Sequence, residues 1–349
     1  MQKEPGIIMR REIREQPQAI ATTVAREAPA LEELVKRLKR EDISAALVVA
    51  RGTSDNAAQY GLYMLGAVTN KLVALAAPSL FTCYHTRMDL HKTLVIGVSQ
   101  SGKATDVIEV LEAGREAGAV TCALTNTEDS PICNGVDHVL LTHAKEERAV
   151  AATKTYTTAL AIFHQLATRW AGREDLVAEI EQVPAWVEEA FLLEDRIVGF
   201  AERFRFMGTC HWLGRGMNYC TAKESALKMA ECCYVVPSPF STADFQHGPI
   251  ATTDRGFPCF IVAPEGKTFD SVYEVIAALK ERGAEMLVIS NNHGALAEGK
   301  IGLPLPSLPE ECSPMVAGVV GQMIALHVAR EKGLDPDQPR GLNKVTLTV

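Results

Sequence analysis

The chain repeats itself, and this limits what it can fold into more than any other feature. Arg51-Gly52 recurs as Arg215-Gly216, and Gly102-Lys103-x-x-Asp106 recurs as Gly266-Lys267-x-x-Asp270, both 164 positions on. Gly118-Ala119 then meets Gly283-Ala284, and Thr125-Asn126 meets Ser290-Asn291, at 165. Chance supplies one such match; four in register mark a duplicated domain. At 349 residues the chain has room for two domains of ordinary size.

Each copy reads as α/β. The runs "AALVVA", "TLVIGVS", "VTCALTN" and "VDHVLLT" are apolar and strand-like, and they alternate with helical stretches such as "KATDVIEVLEAGREAG". That alternation predicts parallel sheets covered by helices on both faces, a flavodoxin-like three-layer sandwich in each half. The reading divides the chain into a helical segment (1–40), a first domain (41–172), a helical linker broken by Pro184 (173–204), a second domain (205–335) and a tail (336–349). In such sheets ligands bind beyond the carboxyl ends of the strands, where the strand order reverses.

Composition narrows the function. The net charge of −8 argues against a nucleic-acid partner, although a local nest of amides and hydroxyls can hold an anion inside an acidic protein. The nine cysteines form no CxxC pair and no His/Cys cluster, so no metal and no other cofactor is expected. The N-terminus, "MQKEPGIIMRREIREQP", is charged and lacks a signal-peptide core. Residues 312–329 carry no Asp, Glu, Lys or Arg, but Ser313, Pro314, Gln322, His327 and two glycines dilute them. They read as a buried helix rather than a membrane span, and the expectation is a soluble, cytoplasmic protein.

Two loops could carry chemistry in the first copy. "VSQSGKATD" leaves a strand through Ser99, Gln100, Ser101 and Gly102 and enters a helix near Thr105. "RGTSDN" makes the same turn one unit earlier through Gly52, Thr53 and Ser54. Such loops either cap the following helix or cradle an anion at its positive end. The second copy is an internal control: its equivalent, "APEGKTFD", has lost both serines and gained Glu265. A carboxylate there would repel phosphate, so one copy keeps an anion site that the other has given up.

What the second copy does instead is suggested by "AKESALKMAECCY". Glu224, Lys228 and Glu231 recur at i, i+4 and i+7, so they line one face of a helix whose other positions are mostly apolar or small. This stripe is either a surface ion-pair ladder or a buried functional set. His247 follows in "FQHGP" as a turn histidine, structural or catalytic, and Lys344 stands in the tail, where an exposed charge is the default.

Together, "REIREQP", "RGTSDNA", "SQSG", "VAATKTYTTAL", "ESALKMAE", "FQHGP" and "GLNKVTLT" resemble the sugar isomerase (SIS) domain family over nearly the whole chain. Within it, the chain resembles the tandem isomerase half of glucosamine-6-phosphate synthases and, more closely, the related amino-sugar-phosphate deaminases. The resemblance implies Gly52, Thr53, Ser54, Ser99, Gln100 and Ser101 as the phosphate site. Ala104 stands where a threonine is usual, leaving Thr105 as a substitute. Glu147, Ala151 and Ala152 fall on the segment that contacts the sugar, with Ala152 replacing a serine. Glu231 falls on the residue that moves a proton between C1 and C2, and Lys228 and Glu224 on its helix partners. His247 falls on a ring-opening histidine given by the neighbouring subunit of a homodimer. Lys344 falls on a tail lysine able to form a Schiff base. The synthases carry a cysteine-headed glutaminase domain, whereas Gln2 follows Met1 here, so the expectation is a chain without that domain, unable to draw ammonia from glutamine. "APSLFTCY" (77–84) also departs from the synthase pattern toward the deaminase branch. The implied activity is conversion of glucosamine 6-phosphate to fructose 6-phosphate with release of ammonia. The alternatives are a deglycase of sugar-phosphate amino-acid adducts, a plain phosphosugar isomerase, or a non-catalytic sugar-phosphate sensor.

Overall fold

The computed structural model describes residues 4–342 and 344. Two compact units emerge, one of residues 18–147 and 154–182 with Lys344, the other of residues 4–17, 148–153 and 183–342. Helices α1 (Ile7–Arg14) and α2 (Gln16–Arg40) come first in the chain. There follow β1 (Ala45–Val49), α3 (Thr53–Thr69), β2 (Leu72–Leu75), α4 (Ser79–Thr82), β3 (Thr93–Val98), α5 (Thr105–Glu116), β4 (Val120–Thr125), β5 (His138–Leu141) and α6 (Lys154–Ala171).

All the strand pairs of this first sheet are parallel, in the order β2-β1-β3-β4-β5. Strands β3 and β4 are buried along their whole length, which is why they read as unbroken apolar runs rather than alternating ones. On one face Val49, Val95 and Ala123 meet Val107, Val110 and Leu111 of α5. Helix α3 packs against β1, β2 and β3 and also against α6. The two helices approach so closely at Gly61 that a β-carbon there would lie 2.6 Å from Phe163.

The chain continues through α7 (Glu174–Glu179), α8 (Val183–Ala190) and α9 (Glu194–Ala201) into the second sheet. That part comprises β6 (Thr209–Gly214), α10 (Tyr219–Cys233), β7 (Val236–Ser241), α11 (Thr242–Gln246), β8 (Pro258–Val262), α12 (Phe269–Glu281), β9 (Glu285–Ser290), α13 (His293–Glu298), β10 (Ile301–Pro304) and α14 (Ser313–Glu331). Its order, β7-β6-β8-β9-β10, repeats that of the first sheet, again with parallel pairs. The duplication read from the sequence is therefore a duplication of topology. Helix α12 packs on one face through Val272, Val275, Ile276 and Leu279. Helices α10 and α14 pack together, with no room for a side chain on Gly321 against Ser225. The uncharged stretch at 312–329 lies in buried α14, and among the described residues no helix is long and apolar enough to cross a membrane.

Helix α1 belongs to the second unit. The backbone N–H groups of Gly6, Ile8 and Met9 donate to Asp335 and Asp337 carboxylates at 2.8 Å each, which satisfies donors at the helix start that have no intrahelical partner. Beneath it, Glu194 receives Arg10 Nε at 2.8 Å and Arg14 Nη2, and lies 3.0 Å from His327 Nε2. Burial alone would raise the Glu194 carboxyl, but the bonds from Arg10, Arg14 and His327 outweigh it and hold the pKa at about 2. An unfolded glutamate titrates near ~4.3. The lowered pKa therefore stabilises the fold above that pH, and the contribution is lost as pH falls toward 2. The two guanidinium groups are partly solvated, so the contribution is about 1–2 kcal/mol. Urea unfolding should show wild type more stable than Glu194→Gln at pH 6, with the gap narrowing by pH 3; an unchanged gap would contradict this account.

Candidate active site

In the first sheet the chain leaves β1 toward one side and β3 toward the other, so the loops after these two strands flank the switch point. The loop after β1 holds Gly52, Thr53 and Ser54, and that after β3 holds Ser99, Gln100, Ser101 and Gly102. Arg51 Nε ties them together by donating to buried Asp106 at 2.6 Å. The serines are not helix caps. The N-cap positions are Gly52 and Ala104, and neither following helix has a side-chain cap bond. Ser99 is buried and its carbonyl accepts from Gly102 N at 3.1 Å, closing the turn; Gln100 and Ser101 are half-buried. Thr105 is the first residue of α5 and exposed. Gly52 has φ +57°, and a β-carbon built there would meet no atom within 4 Å. The switch point is thus lined by small hydroxyl side chains and backbone beside open space.

The second sheet shows what such a turn can hold. Gly216, the counterpart of Gly52, has the same φ of +57°, but there a β-carbon would lie 2.8 Å from Thr268 Cγ2 and 3.9 Å from Glu310 Oε1. Thr268 and the Glu310 side chain together fill this turn. Lys267 N donates to its Oε2 at 2.6 Å and Thr268 Oγ1 donates to its Oε1 at 2.7 Å. Gly266, the counterpart of Gly102, lies so close that a β-carbon would be 2.4 Å from Oε2. One copy therefore demonstrates that the repeated turn accommodates an oxyanion.

On α10 the i, i+4, i+7 stripe is no surface ladder. Glu224 and Lys228 are 0 % exposed, and the Glu231 side chain is 22 % exposed. Lys228 Nζ lies 3.3 Å from Glu224 Oε1 and donates to Glu231 Oε2 at 2.5 Å. Burial would lower the Lys228 pKa, but the two carboxylates overcome it and raise it above the ordinary lysine value. The result is a charged lysine locked between one inaccessible carboxylate and one that solvent reaches. Only Glu231 of the three can touch a substrate.

Two other expected residues lie elsewhere. His247 is exposed at the end of α11, its backbone N–H donating to Asp244 O at 3.1 Å. Lys344 is not a free tail charge: its Nζ donates to Glu147 Oε2 at 3.0 Å. Glu147 is buried and also accepts from Thr155 N at 3.1 Å and Thr155 Oγ1 at 2.8 Å, so the base of α6 fixes the carboxylate that holds the lysine. Ala151 is buried and Ala152 half-buried. Asn343 and residues 345–349 of the expected tail lie outside the described residues.

Comparison with known proteins decides the family. The SIS domain family model matches twice, over residues 41–169 and 210–331. The chain belongs to the SIS domain family. It is 33% identical over 352 residues to the glutamine–fructose-6-phosphate aminotransferase (isomerizing) of Pyrococcus horikoshii, and the match takes in 98% of this chain and 57% of that protein. The chain thus spans little more than half the length of this relative. The C-terminal domain of the Francisella tularensis glucosamine-fructose-6-phosphate aminotransferase superposes with a TM-score of 0.87 at 26% identity, covering 95% of this chain and 98% of that domain. Tagatose-6-phosphate ketose/aldose isomerase from Escherichia coli shares the fold, with a TM-score of 0.83 at 20% identity over 95% of both chains.

Two buried carboxylates of this SIS chain escaped the sequence reading. Glu12, inside the "REIREQP" mark, is 1% exposed and accepts from Arg148 N at 2.6 Å and Ala149 N at 3.1 Å, so it anchors the segment that leads to Ala151 and Ala152. Gln322 Nε2 holds the same segment at its other end through Thr153 O, 3.2 Å away. The signal for Glu12 was its place in a motif, with nothing to say what it bonds. Glu310 gave no signal, because no residue of the first SIS copy corresponds to it in kind.

Proposed function

We propose that this SIS chain is a phosphosugar isomerase acting on an amino-sugar phosphate: glucosamine 6-phosphate and water yield fructose 6-phosphate and ammonia. The observation that carries the reading is the Lys228–Glu231 arrangement, a solvent-reachable carboxylate held by a fully buried, charged lysine. An aldose–ketose shift needs one base that takes the C2 proton and returns it to C1, and a glutamate so positioned can do both. The resulting 2-imine is then hydrolysed, releasing ammonia and leaving the ketose. The cradle of Ser99, Gln100, Ser101, Thr53 and Ser54 is assigned to the phosphate, supported by the oxyanion that the matching turn of the second copy holds. His247 is assigned to ring opening, acting in the site of a homodimer partner, which suits its exposure. Lys344 is assigned to the sugar carbonyl, with Glu147 holding it.

The test is ammonia release from the purified chain with glucosamine 6-phosphate, against a panel of hexose 6-phosphates and their amino-acid adducts. Turnover of an adduct alone would make it a deglycase. Tight binding of all with turnover of none would sink the enzyme reading in favour of a sensor. In the same assay, Ser99→Ala/Ser101→Ala should lower kcat/KM for the phosphorylated substrate by about 10²- to 10³-fold, as expected for losing two hydrogen bonds to a charged group. Turnover of unphosphorylated glucosamine, measured alongside, should not change. An equal loss on both substrates would show that the serines do not serve the phosphate.

A further inference from the structure

We infer that the second SIS copy retains an oxyanion site of the same class as the phosphate cradle, occupied by the chain's own Glu310 carboxylate, and that removing this carboxylate opens it to free phosphate. Both turns stand at the switch point of an identically ordered sheet, one after β1 and β3, the other after β6 and β8. Gly52 and Gly216 share φ +57°, so the turn after the first strand of each sheet has kept its form through the loss of the serines, whereas the next turn differs, with φ +66° at Gly102 and +151° at Gly266. The difference is the occupant. Around Gly52 there is open space and the neutral Ser130 hydroxyl stands against Gly102, whereas in the second copy Glu310, 8% exposed, stands against Gly266 and places one oxygen on Lys267 N and the other on Thr268 Oγ1.

Glu310 stands three residues before α14 begins at Ser313, on a turn fixed by Ser313 Oγ donating to Glu310 O at 2.7 Å. Because Glu310 supplies the negative charge, the turn needs no ligand to satisfy its donors. Glu265, where the first copy has Ser101, adds a second carboxylate, accepting from Asn292 Nδ2 at 2.8 Å. The inference uses the proposed phosphate role of the first cradle as its comparison, so its test is built to read separately.

The test places Glu265→Ser/Glu310→Ala on a Ser99→Ala/Ser101→Ala background. Thermal unfolding is followed in inorganic phosphate and in chloride at equal ionic strength. The background protein should melt at the same temperature in both salts. Adding the two carboxylate substitutions should raise the melting temperature in phosphate over chloride by about 2–4 °C, as for a ligand present at roughly ten times its Kd. In a chain with the first cradle intact, the same two substitutions should add one equivalent of bound phosphate by equilibrium dialysis. No gain in either assay overturns the inference. A wild type indifferent to phosphate would count against the first cradle alone, since the Glu310 arm is read without it. If the substituted chain does not stay folded in chloride, refolding yield becomes the readout: recovery in phosphate supports the inference, and equal failure in both salts overturns it.

Discussion

Glu231→Gln is expected to convert glucosamine 6-phosphate about 10³-fold more slowly than wild type while binding it nearly as well. The expectation rests on accessibility and charge together. Glu224 and Lys228 are sealed inside α10, whereas Glu231 keeps 22 % of its side chain exposed, so it is the one member of the stripe that can reach a reacting carbon. A positioned general base contributes roughly 10²- to 10⁴-fold to such a proton transfer, and glutamine keeps the shape while removing the base. The clearest measurement is exchange of the substrate C2 proton with deuterium oxide, followed by NMR beside kcat and Kd. Wild type should wash the label in, and Glu231→Gln should not. A variant that exchanges C2–H at near-wild-type rate would remove Glu231 from the mechanism, whatever its effect on product release.

How far the sequence could lead depended on whether it contained its own control. Ser99 and Ser101 were suspected of holding a ligand because "APEGKTFD" does without them, and Ala104 at the N-cap of α5 now removes the capping alternative. The α10 stripe is legible as a periodicity, yet spacing cannot distinguish a surface ladder from a largely buried set, because burial depends on what the rest of the chain packs around α10. Strand β7 was hidden for a local reason: Val-Pro-Ser-Pro-Phe-Ser reads against a strand, and its prolines are tolerated because β7 is the edge of its sheet. Glu310 was hidden for a topological one. It enters the second cradle from a connection whose length differs from that of its counterpart, so no fixed offset points to it.

Lys228→Met should cost the folded state about 3–5 kcal/mol, the largest stability loss expected of a single substitution at this site. Removing one partner of a buried ion pair takes compensation away from the other charge, and here that charge is Glu224, 0 % exposed with Lys228 Nζ 3.3 Å away. Burial works against the lysine's charge and the two carboxylates favour it, so the three groups influence one another's charge states. Replacing both buried members, Glu224→Leu with Lys228→Met, should therefore recover most of the loss, since a buried pair exchanged for apolar side chains is often neutral or better. Urea unfolding of the two variants beside wild type checks this, and equal destabilisation of single and double variants would contradict it. Activity should not follow stability. Glu231 would remain, but without the 2.5 Å bond that fixes its carboxylate, so the double variant should fold and still turn over slowly. A double variant both stable and fully active would mean that the lysine serves the fold alone; a stable but slow one separates its two duties, charge balance for Glu224 and aim for Glu231.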